Sequence, residues 1–78
     1  MQNEYTQMNE LTDDDELFLI KEAIEKKLTK VQRKIYLTYV DEGTYSATAK
    51  AFNCSIPTIS KYIKRINGLI AEYVFNNI

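Results

Sequence analysis

Apolar residues at helical spacing run through the last third of the chain, and they constrain its fold more than any other feature of the sequence. They follow one another at steps of three or four residues and comprise Ile59, Tyr62 or Ile63, Ile66, Leu69 or Ile70, and Tyr73. Such steps place side chains on one face of an α-helix. No segment of the 78 residues alternates apolar and polar side chains as a half-buried strand does. The sequence therefore predicts an all-α fold that ends in a long helix.

Capping residues divide the chain into four predicted helices. A residue type that caps helix N-termini well precedes each of them, and these residues are Thr12, Thr29, Thr44 and Ser55. Thr29 and Gln32 have the spacing of a capping box. Gly43 and Asn53 suit the left-handed conformation in which helices end. We therefore expect the second helix to stop at Gly43 and the third to span Tyr45 to Phe52.

A short polar tail is expected to precede one small domain. Residues 1–11 have no apolar period and are predicted to be flexible, whereas residues 12–78 form the domain. Gly68 weakens the last helix and marks a place where it could bend. The first two helices each have an apolar face, made of Leu17, Ile20, Ile24 and Leu28 in one and Val31, Ile35, Tyr36, Tyr39 and Val40 in the other.

The charges are unevenly distributed along the chain. Residues 1–27 hold eight acidic and three basic side chains, whereas residues 28–67 hold seven basic and two acidic ones. A chain of net charge −1 can therefore still present a basic face to an anionic partner. The acidic run Asp13 to Glu16 is predicted to complement the positive end of the first helix dipole rather than to bind a metal.

Composition excludes several classes of protein. One cysteine and no histidine argue against a disulfide framework, a zinc site and the commonest catalytic base, so we expect no metal, no cofactor and no enzymatic activity. No apolar run approaches the ~20 residues of a membrane span, and no signal peptide is visible. The sequence predicts a cytoplasmic protein without a membrane partner.

The stretch from 45 to 66 carries the functional signal. It combines a short helix, a tight turn and a second helix with a basic outer face, which is the helix-turn-helix pattern. Its expected landmarks are Ala49 at the crossing of the two helices, Asn53 in the turn, Cys54 buried just after it, and Ile59 as the apolar anchor. Two residues depart from the usual pattern, because Thr48 replaces an aliphatic side chain and Asn53 replaces glycine.

A wider stretch, 28–67, resembles the fourth region of sigma-70-type factors and related helix-turn-helix domains of small bacterial and phage regulators. The matching residues are Leu28, Gln32, Arg33, Ile35, Leu37, Gly43, Thr44, Tyr45, Ala49, Ser55, Thr58, Ile59 and Ile63. Ser46 and Ala47 stand where that family often has an acidic pair. The resemblance implies a free-standing DNA-reading domain with a three-helix core and a long C-terminal recognition helix. The part of a sigma factor that binds core polymerase cannot fit in 78 residues.

Residues 56–66 are expected to enter the major groove of double-stranded DNA, which is about 12 Å wide and admits one helix. The candidates for base edges are Ile56, Pro57, Thr58, Ser60, Lys61 and Lys64. The candidates for phosphates are Lys30, Arg33, Lys34, Thr44, Tyr45, Ser46, Lys50, Ser55 and Arg65. An ammonium group such as that of Lys61 can donate to guanine, and backbone amides at helix starts suit phosphates. The predicted function is sequence-selective DNA binding that regulates transcription.

Two other functions and one question of assembly stay open. The domain could instead be a protein-interaction module that binds RNA polymerase, or an accessory protein in phage packaging or recombination. Residues 69–78 contain more apolar side chains than one stripe needs. They either pack over the first two helices or pair with a second copy in a homodimer.

Overall fold

A computed structural model describes residues 13–77, and these form four α-helices without any strand. The helices are α1 (Asp13–Lys27), α2 (Lys30–Glu42), α3 (Tyr45–Phe52) and α4 (Ile56–Asn76). The all-α prediction is therefore confirmed for this part of the chain. The expected tail at 1–11, the Thr12 cap and Ile78 lie outside the described residues.

The predicted caps open α2, α3 and α4. Thr29 and Gln32 form the capping box, because the Gln32 amide donates to the Thr29 hydroxyl at 3.1 Å and the Thr29 amide donates to the Gln32 side chain at 2.9 Å. The hydroxyl of Thr44 accepts from the Ala47 amide at 3.1 Å. The hydroxyl of Ser55 accepts from the Thr58 amide at 3.3 Å. Each bond satisfies an amide that the helix itself leaves without an acceptor.

Left-handed residues end α2 and α3 where the sequence predicts. Gly43 has φ 88° and its amide donates to the Tyr39 carbonyl at 2.8 Å. Asn53 has φ 55°, which asparagine adopts more readily than other residues with a side chain. The amide of Cys54 then donates back to the Ala49 carbonyl at 2.9 Å. These bonds close α3 and turn the chain into α4 within three residues, 53–55.

Alanine is expected to destabilise the protein at Gly43 and to stabilise it at Gly68. Neither glycine has an atom within 4 Å of an added Cβ, so backbone conformation decides the outcome. Gly43→Ala is expected to cost about 1 kcal/mol because alanine disfavours positive φ. Gly68→Ala is expected to stabilise by about 0.5–1 kcal/mol, since α4 continues through Gly68 as one helix. Thermal unfolding followed by circular dichroism checks both, and a shift of the same sign in the two variants would contradict this account.

The core lies along α4, which packs against each of the other three helices. Ile59, Ile63, Ile66 and Ile70 are all buried and succeed one another at steps of four, three and four residues. The other helices contribute smaller numbers of buried apolar side chains: Ala23 and Leu28 from α1 and its end, Ile35 from α2, and Ala49 from α3. One face of α4 is therefore completely enclosed, and this fixes which of its residues point outward.

The predicted apolar faces of α1 and α2 are only partly correct. Leu17 is 50% exposed, and Val31 and Val40 are exposed as well. Ala23, which the sequence-based stripe omits, is fully buried. Its methyl group lets α1 lie close to α4, so α1 contacts the core through this small residue as well as through the half-buried Ile20 and Ile24.

Thr48 is fully buried on α3 at the position where an aliphatic residue is usual. Its hydroxyl donates to the Thr44 carbonyl at 2.8 Å, one helical turn earlier. A buried hydroxyl is tolerated when it has such a partner. The methyl group remains available for packing, so this departure from the usual pattern does not disturb the core.

A polar link joins α1 to α4 across 51 residues of sequence. The Tyr73 hydroxyl donates to the Glu22 carboxylate at 2.8 Å, and the Lys26 ammonium lies 3.2 Å from the other carboxylate oxygen. Glu22 and Lys26 are one helical turn apart on α1 and so form an i,i+4 ion pair. These bonds, first that from Tyr73 and then that from Lys26, lower the pKa of Glu22. The hydrogen bond to Glu22 and partial burial raise the pKa of Tyr73.

The Glu22 link is expected to make stability depend on pH in the acid range. Because the folded state lowers the pKa of Glu22, its contribution is present above the unfolded pKa and is lost as pH falls through the folded one. Glu22→Gln cannot titrate, so its melting temperature should fall less than that of the wild type between neutral pH and about pH 3. The melting temperature of Tyr73→Phe should likewise fall less than that of the wild type over this pH range, because the hydrogen bond to Glu22 is absent. Thermal unfolding at a series of pH values measures this, and an unchanged acid loss in both variants would contradict it.

Candidate nucleic-acid interface

The exposed side of α4 holds most of the residues that the sequence assigns to base edges. Ile56, Pro57, Thr58, Lys61 and Lys64 are exposed, whereas Ser60 is half-buried. The buried isoleucines lie on the opposite side of α4. Their packing in the core therefore determines which side of the helix faces solvent. Arg65 is also exposed and extends the same surface by one turn.

The cations of α4 form no ion pair within residues 13–77. Lys61, Lys64 and Arg65 have no carboxylate within ion-pair distance among the residues that the structure describes. Cations without an internal partner attract an external anion without first having to break an ion pair. The outer face of α4 is thus a basic surface on a helix whose other face is anchored in the core.

Tyr62 lies on this surface, contrary to its possible assignment to the apolar stripe. It is 38% exposed and, with Thr58, Lys61 and Arg65, lines a shallow hollow on α4. Its neighbour Ile63 is fully buried. The regular spacing of the four buried isoleucines is complete without Tyr62, and that regularity is the signal that could have placed Tyr62 outside the core.

The basic residues of α2 differ in what they already bind. Lys30 and Lys34 are exposed. Arg33 is half-buried, and its guanidinium donates to the carbonyls of Ile24 at 3.3 Å and Glu25 at 3.4 Å. These carbonyls belong to the last turn of α1, where a cation complements the helix dipole. The structure therefore gives Arg33 a role inside the fold, and its contact with phosphate stays a prediction.

The two helix starts at the interface differ in their free amides. In α3 the Thr44 hydroxyl accepts from Ala47, and the amides of Tyr45 and Ser46 precede that bond in the first turn. In α4 the Ser55 hydroxyl accepts from Thr58, and Pro57 has no N–H to offer. The start of α3 therefore has more amide N–H groups without a partner among the described residues than the start of α4 has.

Tyr45 is held against the core at the start of α3. It is half-buried, and its ring lies 5.1 Å from that of Tyr39 on α2 with a tilt of 40° between them. This is a favourable distance for an aromatic pair. The contact positions α3 relative to α2. Ser46, Lys50 and Ser55 are exposed nearby in the chain.

Cys54 is half-buried rather than buried as the sequence-based reading expects. Its side chain packs against the edge of the core. Over the side chains that the structure describes, no three acidic or cysteine residues are grouped so that they could hold a metal ion. No helix within 13–77 is long and apolar enough to cross a membrane.

The end of α4 contributes to the core and also leaves one large side chain outside it. Leu69, Tyr73 and Val74 are half-buried against the core. Phe75 is 76% exposed. It lines a groove together with Ile20 of α1, Tyr36 of α2, and Ile70 and Val74 of α4.

This chain is matched by no protein-family model, no curated protein and no solved structure.

Proposed function

We propose that this protein binds double-stranded DNA through α3 and α4 arranged as a helix-turn-helix, with residues 56–66 in the major groove. The observation that carries the proposal is the outer face of α4. Its cations have no partner among the described carboxylates, and it follows directly on a tight left-handed connection. A single helix fits the major groove, and exposed lysines on such a helix can donate to base edges.

Lys61 and Lys64 are assigned to base edges, and Lys30, Lys34, Lys50 and Arg65 to phosphates. The amides of Tyr45 and Ser46 add a phosphate contact at the start of α3. Phosphate contacts position a protein on the duplex, whereas base contacts select the sequence. Because the chain resembles the fourth region of sigma-70-type factors at residues 28–67, the regulation of transcription is the proposed consequence of this binding.

Fluorescence anisotropy of a labelled random duplex tests the proposal over ~50–200 mM salt. Four phosphate contacts predict a slope of about −3.6 in log K against log salt, which corresponds to about a 150-fold loss over this range. Lys21→Ala changes an exposed lysine of α1 and serves as the control with an unchanged slope. The absence of binding at the lowest salt would overturn the proposal.

A second candidate function, interaction with RNA polymerase, is favoured by a groove between α1 and α2. Phe18 and Leu37 are exposed in this groove, and charged side chains such as Lys21, Glu25 and Arg33 surround them. Exposed apolar side chains with a charged rim are typical of protein contacts. Capture of purified polymerase by the wild type but not by Phe18→Glu, without any affinity for DNA, would put this function first.

We also propose that the chain forms a homodimer through the end of α4. Phe75 is the reason, because a phenyl ring that is 76% exposed beside an apolar groove can insert into the same groove of a second copy. Sedimentation equilibrium is expected to give about twice the 9.1 kDa of one chain at high concentration. Phe75→Glu should give one chain mass. Val40→Glu, which alters an exposed side chain of α2, should remain dimeric, and equal behaviour of the two variants would contradict the proposal.

A further inference from the structure

Tyr62 is an exposed aromatic residue that the proposed division into base and phosphate contacts leaves without a role. Its side chain lines the same shallow hollow on α4 as Lys61 and Arg65. The core does not require it, because Ile59, Ile63 and Ile66 are each fully buried without its help. An amphipathic side chain with a hydroxyl at its tip is well suited to an interface that is both polar and close-packed.

The helical positions of its neighbours indicate what Tyr62 faces. Thr58, Tyr62 and Arg65 are four and three residues apart and so form one line along α4. The line is turned away from the outward centre, where Lys61 and Lys64 lie. A helix in the major groove points its centre at the base edges, and its flanks meet the sugar-phosphate walls. This flank of α4 therefore faces the backbone of one strand.

On this flank of α4, the Tyr62 hydroxyl is an uncharged hydrogen-bond donor that is free to reach the sugar-phosphate backbone of the DNA. The Thr58 hydroxyl is 2.8 Å from the Ser55 hydroxyl and already belongs to the cap of α4. Arg65 supplies charge on the same line. On the basis of the proposed DNA binding, we infer that the Tyr62 hydroxyl donates a hydrogen bond to a phosphate oxygen of one strand and so fixes the rotation of α4 in the groove.

A neutral phosphate contact has a distinct signature in salt titrations. A cation that neutralises a phosphate releases counterions and adds about 0.9 to the salt slope. A phenol hydroxyl adds affinity without releasing a counterion. Tyr62→Phe in the full-length protein is therefore expected to weaken binding about fivefold at every salt concentration, with an unchanged slope. The matched variant Arg65→Gln is expected to flatten the slope by about 0.9.

Anisotropy titrations test this inference. They measure the affinity of the wild type and both variants for a selected duplex and for a random duplex. Tyr62→Phe keeps the exposed ring, so its circular dichroism and melting temperature should equal those of the wild type. An equal loss on both duplexes is expected, because a backbone contact reads no sequence. Wild-type affinity in Tyr62→Phe would overturn the inference, and so would a loss confined to the selected duplex.

The outcomes also separate this inference from the function on which it rests. If the wild type binds DNA with a salt-dependent affinity and Tyr62→Phe binds equally well, only the hydroxyl contact is wrong. If Tyr62→Ala then loses affinity, the ring acts by stacking, and the inferred hydrogen bond is overturned. If the wild type itself does not bind at low salt, both the inference and the proposed function fail.

Discussion

Ile63→Ala is expected to unfold much of the protein under conditions in which the wild type is folded. Ile63 is fully buried at the centre of α4. Truncation of a buried isoleucine costs about 2–5 kcal/mol, because apolar contacts are lost and a cavity remains. A domain of this size has a total stability of only about 4–12 kcal/mol. Urea denaturation followed by circular dichroism should show a midpoint lower by about 2–4 M.

Ile56→Ala is the matched control for this experiment. It makes the same chemical change on the same helix, but Ile56 is 49% exposed at the first position of α4. Its expected cost is less than about 1 kcal/mol. Comparable midpoints in the two variants would show that the four-isoleucine line is not the core of the domain. The difference between them measures how strongly α4 is held by its buried face.

Under the proposed function, that buried face also links the stability of the domain to its binding of DNA. Only the folded chain presents Lys61 and Lys64 together on one side of α4, since the opposite side is anchored by isoleucines. The loss of Ile63 is therefore expected to weaken DNA binding without removing any contact with DNA. Addition of DNA should raise the urea midpoint of the wild type, as a ligand that binds only the folded state does.

Local signals in the sequence were sufficient for both ends of α2 and α3 and for the start of α4. The capping box at Thr29, the left-handed Gly43 and Asn53, and the cap at Ser55 depend on bonds that span at most five residues. Such bonds join residues close in sequence and depend on residue type and order, so they can be predicted without knowledge of the tertiary structure. The apolar spacing of α4 is equally local, but it left Tyr62 and Ile63 as alternatives. The structure buries Ile63 and exposes Tyr62.

Contacts between helices could not be predicted in this way. Arg33 donates to carbonyls at the end of α1, and Tyr73 reaches Glu22 across 51 positions. Both contacts depend on how the helices pack, which periodicity does not specify. The burial of Ala23 has the same origin, since a small residue becomes a contact point only when a neighbouring helix approaches it. The charge of Arg33 predicts a contact with phosphate. In the structure its guanidinium donates to backbone carbonyls of α1.

Lys61→Ala and Lys34→Ala are expected to weaken DNA binding in different ways. Lys61 is exposed on the outward face of α4. In the proposed complex its ammonium donates to guanine, so its loss should cost about 1–3 kcal/mol on the preferred site. This corresponds to about a 5- to 150-fold weaker affinity for that site, with a much smaller loss on random duplex. Lys34 is exposed on α2 and does not belong to α4, the helix proposed to enter the groove. Its loss should weaken binding to all duplexes alike and make the salt slope shallower by about 1.

Site selection from a random library, followed by anisotropy on the selected and random duplexes, measures this difference. The ratio of the two affinities is expected to fall in Lys61→Ala and to stay constant in Lys34→Ala, because only a base contact distinguishes sequences. Both lysines are exposed, so neither substitution should change the melting temperature by more than a few degrees. Equal changes in the ratio for the two variants would mean that α4 does not read bases. Its basic face would then hold the duplex through phosphates alone.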